Sequence, residues 1–133
     1  MRDVPPLALR GEERLFYERL RAHDLGIQVC AGCAARFAYP RTVCPRCLGT
    51  ELRLDSSSGR GSVYSFTTIH RPAAAWRADD VPYTVALVDL DEGVRVLGDL
   101  RVPEPRVGLR VELEYDDVRD DLTLLSFVAA AGQ

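Results

Sequence analysis

Two periodicities divide this chain. Near its start, apolar residues recur at helical spacing: Leu9, Phe16 and Leu20, with Leu15 beside them, form one stripe. Glu12 and Glu13 come early, Arg19, Arg21 and His23 late, and Gly26 lies beyond, which suits a helix dipole and its stop. A helix of this length is not stable alone, so the stripe must pack on this domain or on a partner. From Gly61 onward the period becomes two. Strands are expected over 61–69, 83–90, 94–101, 109–115 and 122–128, separated by turn signals such as Asp91-Glu92-Gly93 and the Pro103/Pro105 segment. Val111, Leu113 and Tyr115 alternate with Arg110, Glu112 and Glu114, as on a sheet with one wet face.

Between these regions the pattern breaks around four cysteines, Cys30-x-x-Cys33 and Cys44-x-x-Cys47. Two such turns brought face to face make a tetrahedral thiolate cage, closed to water and substrate, and therefore structural. Zinc is the expected ion, with rubredoxin-like iron as the alternative. Two disulfides, or a redox C-x-x-C, are the competing readings; a redox motif needs one pair, and no secretory signal points to an oxidising compartment. Ile27 and Val29 lead into the first knuckle, Phe37, Tyr39 and Pro40 fill the intervening loop, and Leu52 and Leu54 leave it. Too few apolar residues lie here to fold without an ion.

The expected organisation is thus mainly β. It has an N-terminal helical segment (1–26), a rubredoxin-like four-cysteine zinc ribbon (27–55) and a C-terminal barrel (56–133), with 56–61 as the loop between subdomains. Five short antiparallel strands suit a small closed barrel. The OB-fold is the commonest solution, and an SH3-like barrel is its rival.

Composition narrows the function classes. With 133 residues and a 47% hydrophobic share, the chain can bury a core. No apolar run approaches the ~20 residues that span a bilayer, and the first ten residues lack a signal peptide's apolar stretch, so a soluble cytoplasmic protein is expected. The net charge is −3, and all 17 basic residues are Arg. Zinc ribbons and OB barrels also bind single-stranded nucleic acid, but that role needs a positive groove with aromatic platforms. Tyr64, Phe66 and Tyr83 fall on strands without basic runs, which counts against it.

Catalytic candidates are few once the cysteines are assigned to metal. His23 sits at a charged helix end, where it complements the dipole. His70 begins a loop, His70-Arg71-Pro72 through Trp76-Arg77, placed where barrels hold ligand contacts. Neither a G-x-S-x-G elbow nor a phosphate-binding glycine loop occurs. Glu112, Glu114, Asp116, Asp117, Asp120 and Asp121 read as a solvated edge rather than a cation site. Arg60, His70, Arg71, Trp76 and Arg77 are the candidate ligand or partner contacts, with Trp76 as either an interface anchor or a plug in the barrel.

The chain resembles the zinc-ribbon/OB-fold acyl-CoA-associated proteins. The resemblance runs through Phe16-Tyr17, Ile27-Gln28-Val29-Cys30, Tyr39-Pro40-Arg41, Cys44-Pro45-Arg46-Cys47, the block from Ser58 to Thr67, Pro82-Tyr83, the block from Ala86 to Arg95, and Val107-Gly108-Leu109-Arg110-Val111. It implies an accessory subunit without turnover of its own. Such a subunit docks on a thiolase-like partner, whether thiolase, acyltransferase or steroid side-chain aldolase, and supports its acyl-CoA site in a hetero-oligomer. The chain departs from the family at the knuckles: Ala34 and Leu48 stand where Gly commonly follows the second cysteine, so strain is expected there.

Overall fold

The computed structural model describes residues 4–131, so the extreme ends of the first and last expected segments lie outside the described residues. Helix α1 spans Gly11–Arg21, shorter than the apolar stripe suggested. Phe16 and Leu20 are buried on its inner face. Beyond Arg21 the chain turns through His23 in the left-handed region (φ 58°), and the His23 and Asp24 amides bond back to the Leu20 and Arg19 carbonyls. His23 therefore leaves the helix. Its ring stacks on Tyr115 at 4.7 Å and its Nε2 lies 2.9 Å from the Asp117 carboxylate, joining the helix end to the barrel.

Strand β1 (Gly26–Cys30) is buried along its whole length and lies at the centre of a three-stranded antiparallel sheet, between β2 (Arg36–Phe37) and β3 (Leu52–Ser56). The barrel follows: β4 (Arg60–Ile69), β5 (Tyr83–Leu90), β6 (Arg95–Leu100), β7 (Arg110–Arg119) and β8 (Leu122–Ala129). They close in the order β4-β5-β6-β8-β7, with β7 returning to β4. The expectation of an all-antiparallel barrel is corrected here, because β6 and β8 pair in parallel. Strands of alternating direction cannot close a ring of odd number, so five strands require one parallel pair. The ring is closed and five-stranded, the OB-like barrel expected.

One core serves all parts. Phe16 and Leu20 of α1, with Leu25, Ile27 and Ala38, pack in one cluster with Val63, Val88, Val96, Val111 and Phe127 of the barrel. Of the two outcomes open to the helix stripe, this domain or a partner, Phe16 and Leu20 take the first, whereas Leu15 stands 51% exposed. The segment expected as a subdomain loop is equally fixed. The Glu92 carboxylate accepts the Ser57 hydroxyl and the Ser58 amide, both at 2.8 Å. Gly61 follows because nothing larger fits: a Cβ there would lie 2.3 Å from the Asp89 carbonyl oxygen.

Candidate functional site

The two knuckles are built alike. In each, the first cysteine's amide bonds to the carbonyl five residues on (Cys30 to Ala35, Cys44 to Gly49), and its carbonyl accepts the amide four residues on (Ala34, Leu48). Closing so tight a turn requires positive φ at the residue after the second cysteine. Ala34 has φ 63° and Leu48 φ 65°, so the strain expected from the missing glycines is present.

The four sulfurs converge, all within 4.8 Å of one another. Cys30 and Cys47 are 3.6 Å apart, as are Cys33 and Cys44. All four thiols are free, and sulfurs at that distance are far beyond a disulfide bond of about 2.05 Å. Zinc–sulfur bonds of about 2.3 Å would place tetrahedral sulfurs about 3.8 Å apart, so this donor set fits one four-coordinate ion. The Arg46 and Gly49 amides donate to Cys44 and Cys47 sulfurs at 3.4 Å. The Cys47 amide, opposed by burial and helped by the Arg46 amide, pulls the Cys44 thiol down to about 6. Cys47 is pushed up to about 12 despite the Gly49 amide, because its hydrogen bonds with Cys30 and Cys33, together with burial, hold its proton. Binding of an ion to thiolates releases their protons, so metal affinity at this cage rises with pH.

A second feature lies where ribbon, helix and barrel meet. A groove of about 270 Å³ is lined by Phe16, Tyr17 and Leu20 of α1, Tyr39 of the knuckle loop, Trp76 and Arg77, and Val85, Leu97, Asp99, Leu124 and Leu125 of the barrel. Arg77 belongs to its framework. Its guanidinium forks onto Asp99, reaches Asp80 at 3.3 Å and stacks 3.5 Å over Tyr83. Trp76 is half-buried in the groove wall, neither a plug in the barrel interior nor a bare anchor.

The remaining candidates do not line the groove. Arg60 starts β4, whereas His70 and Arg71 follow its end, about 30 Å away along an extended strand. All three are exposed. The acidic run is partly paired, Asp116 with Arg101 and Asp117 with His23. Sequence reasoning treated Tyr39 as loop filling and passed over Leu97; the only available signal was an aromatic residue between the knuckles that the ribbon itself could not bury.

A four-cysteine ribbon sharing a core with a five-stranded OB-type barrel defines the class of this protein. Within that class the chain belongs to the ChsH2 family: residues 18–53 match the ChsH2 rubredoxin-like zinc ribbon domain and residues 56–116 the ChsH2 C-terminal OB-fold domain. Over 97% of its length it is 32% identical to a probable enoyl-CoA hydratase alpha subunit of Thermomonospora curvata, and over 79% it is 37% identical to the 3-oxo-4,17-pregnadiene-20-carboxyl-CoA hydratase alpha subunit of Mycobacterium tuberculosis. It spans only 41% and 34% of those two relatives. A benzoylsuccinyl-CoA thiolase subunit, BbsA, of Geobacter metallireducens is 31% identical, with 74% of this chain and 68% of that one covered. Among solved structures, a chain of the Ltp2-ChsH2(DUF35) aldolase superposes with a TM-score of 0.84 at 31% identity, covering 95% of this chain and all of that one.

Proposed function

We propose that this chain is a non-catalytic accessory subunit that docks on a thiolase-fold enzyme and supports its chemistry on CoA thioesters, with one structural zinc ion held by Cys30, Cys33, Cys44 and Cys47. The observation that carries this reading is the near-complete superposition on a chain of an aldolase assembled from two named components. Similarity to a thiolase subunit adds support. The thiols, the strongest nucleophiles in the chain, sit together in a cage that suits a metal, which fits a scaffold better than an enzyme.

Pairing of the arginines bears on the rival reading, single-stranded nucleic-acid binding. Arg19, Arg53, Arg77, Arg95, Arg101, Arg110 and Arg119 each form an ion pair with an aspartate, so much of the basic charge is neutralised locally. A positive track for phosphates needs that charge free.

Gel filtration with a thiolase-type enzyme, run with an oligonucleotide titration at physiological salt, tests the proposal. A stable complex with the enzyme and no turnover of acetoacetyl-CoA or longer 3-ketoacyl and 3-hydroxyacyl thioesters by the isolated chain is expected. Tight oligonucleotide binding without an enzyme complex would overturn it.

A further inference from the structure

Strand β6 is paired unequally on its two edges. It meets β5 from Arg95 to Asp99, but β8 only at Asp99 and Leu100. The amide of Leu97 faces the open side, and it donates to the hydroxyl oxygen of Tyr39 at 2.8 Å, a residue 58 positions earlier. A side chain from the ribbon thus takes the place of a neighbouring strand.

Tyr39 lies in the loop whose two ends are the metal-ligand candidates Cys33 and Cys44. Between them, β2 pairs with β1 through only two residues, and the Gln28 side chain clamps Arg41 by donating to its carbonyl and accepting from its amide. Ala38 is buried in the shared core, and Arg36 donates to the Glu92 carbonyl at 3.3 Å. The loop is therefore held along its length by these few contacts, with Tyr39 between the buried Ala38 and the clamped Arg41, and at its ends by the sulfur cage. No cysteine lines the groove, yet Tyr39 forms its ribbon-side wall.

We propose that the segment from Cys33 to Cys44 is a metal-set clamp: an ion in the cage holds the loop so that Tyr39 closes the open edge of β6 and completes the groove. This rests on reading the cage as a metal site. Because coupling between two sites is reciprocal, whatever docks Tyr39 on Leu97 must also tighten the metal.

The full-length chain carrying Tyr39→Phe keeps the ring and loses only the hydroxyl. It is expected to bind about one zinc per chain with an affinity about 2- to 10-fold weaker in competition with a chromogenic chelator, the fold-change a single net hydrogen bond supports. The Leu97 amide should exchange with deuterium faster in this variant, and in metal-stripped wild type, than in the zinc-loaded wild type. Tyr64→Phe, outside the loop, should leave zinc affinity unchanged. Equal zinc affinity in wild type and Tyr39→Phe, or a Leu97 amide as slow without zinc as with it, would overturn the clamp. Failure of the wild type to bind zinc at all would instead overturn the reading of the cage.

Discussion

The Arg77 guanidinium and the Asp99 carboxylate form a two-pronged pair, at 2.9 and 2.7 Å, that ties the 3-10 turn at Ala75–Arg77 to the outer face of β6. Both side chains are largely shielded, 13% and 17% exposed, so removing either leaves the other with only its longer contacts, Arg77 to Asp80 at 3.3 Å and Asp99 to Arg101 at 3.7 Å. Asp99→Ala should cost about 2 kcal/mol or more of stability, by denaturant melts, and loosen the Trp76 wall, seen as a shift in tryptophan emission. An unchanged melt and spectrum would mean the turn is held by other contacts.

Trp76 itself sits where a partner can reach the groove. If the proposed assembly uses this face, Trp76→Ala should weaken it by about 2 kcal/mol, the range of an interface hot spot. Arg60→Ala and Arg71→Ala, at exposed positions that do not line the groove, should leave assembly intact and raise the apparent KM for CoA thioester in the assembled enzyme. Titration calorimetry and steady-state kinetics separate these outcomes.

The knuckles carry removable strain. Ala34→Gly and Leu48→Gly should each stabilise the metal-loaded protein by up to about 1 kcal/mol, because the left-handed cost of a Cβ exceeds the extra unfolded-state freedom of glycine. Leu48 is 75% exposed, so its substitution sacrifices little packing. A loss of stability in both variants would show that the knuckle strain had been overstated.

Metal and fold should be lost together. Cys44→Ser should abolish stoichiometric zinc by elemental analysis and lower the Tm in the same variant. Retained Tm without metal would contradict a structural role for the ion.

Acid should act through specific carboxylates. The Thr123 hydroxyl and then His23 hold Asp117 below the usual carboxylate range, and Arg110 does the same for Asp91. A lowered folded pKa means these groups contribute stability that is complete above the unfolded value, about 4, and disappears as pH falls through the folded value. Asp117→Asn should therefore flatten the loss of stability below about pH 4 relative to wild type, in melts followed against pH. An identical acid profile would remove Asp117 from that role.

The local chemistry of this chain was legible in its sequence because its signals are local. The four cysteines at paired spacing specified the cage, Ala34 and Leu48 announced the strained knuckles, and the period-two pattern placed β5 at Tyr83–Leu90. Strand ends were less legible: β7 runs on to Arg119 because a charged stretch, Asp116 and Asp117, finds partners in Arg101 and His23. The parallel pairing of β6 with β8, the burial of the α1 stripe against the chain's own barrel, and the bond from Tyr39 to Leu97 were decided only in three dimensions. Each joins residues far apart in the chain, and whether an apolar stripe or an unpaired amide meets its own fold or a partner depends on how the barrel closes, which no local pattern encodes.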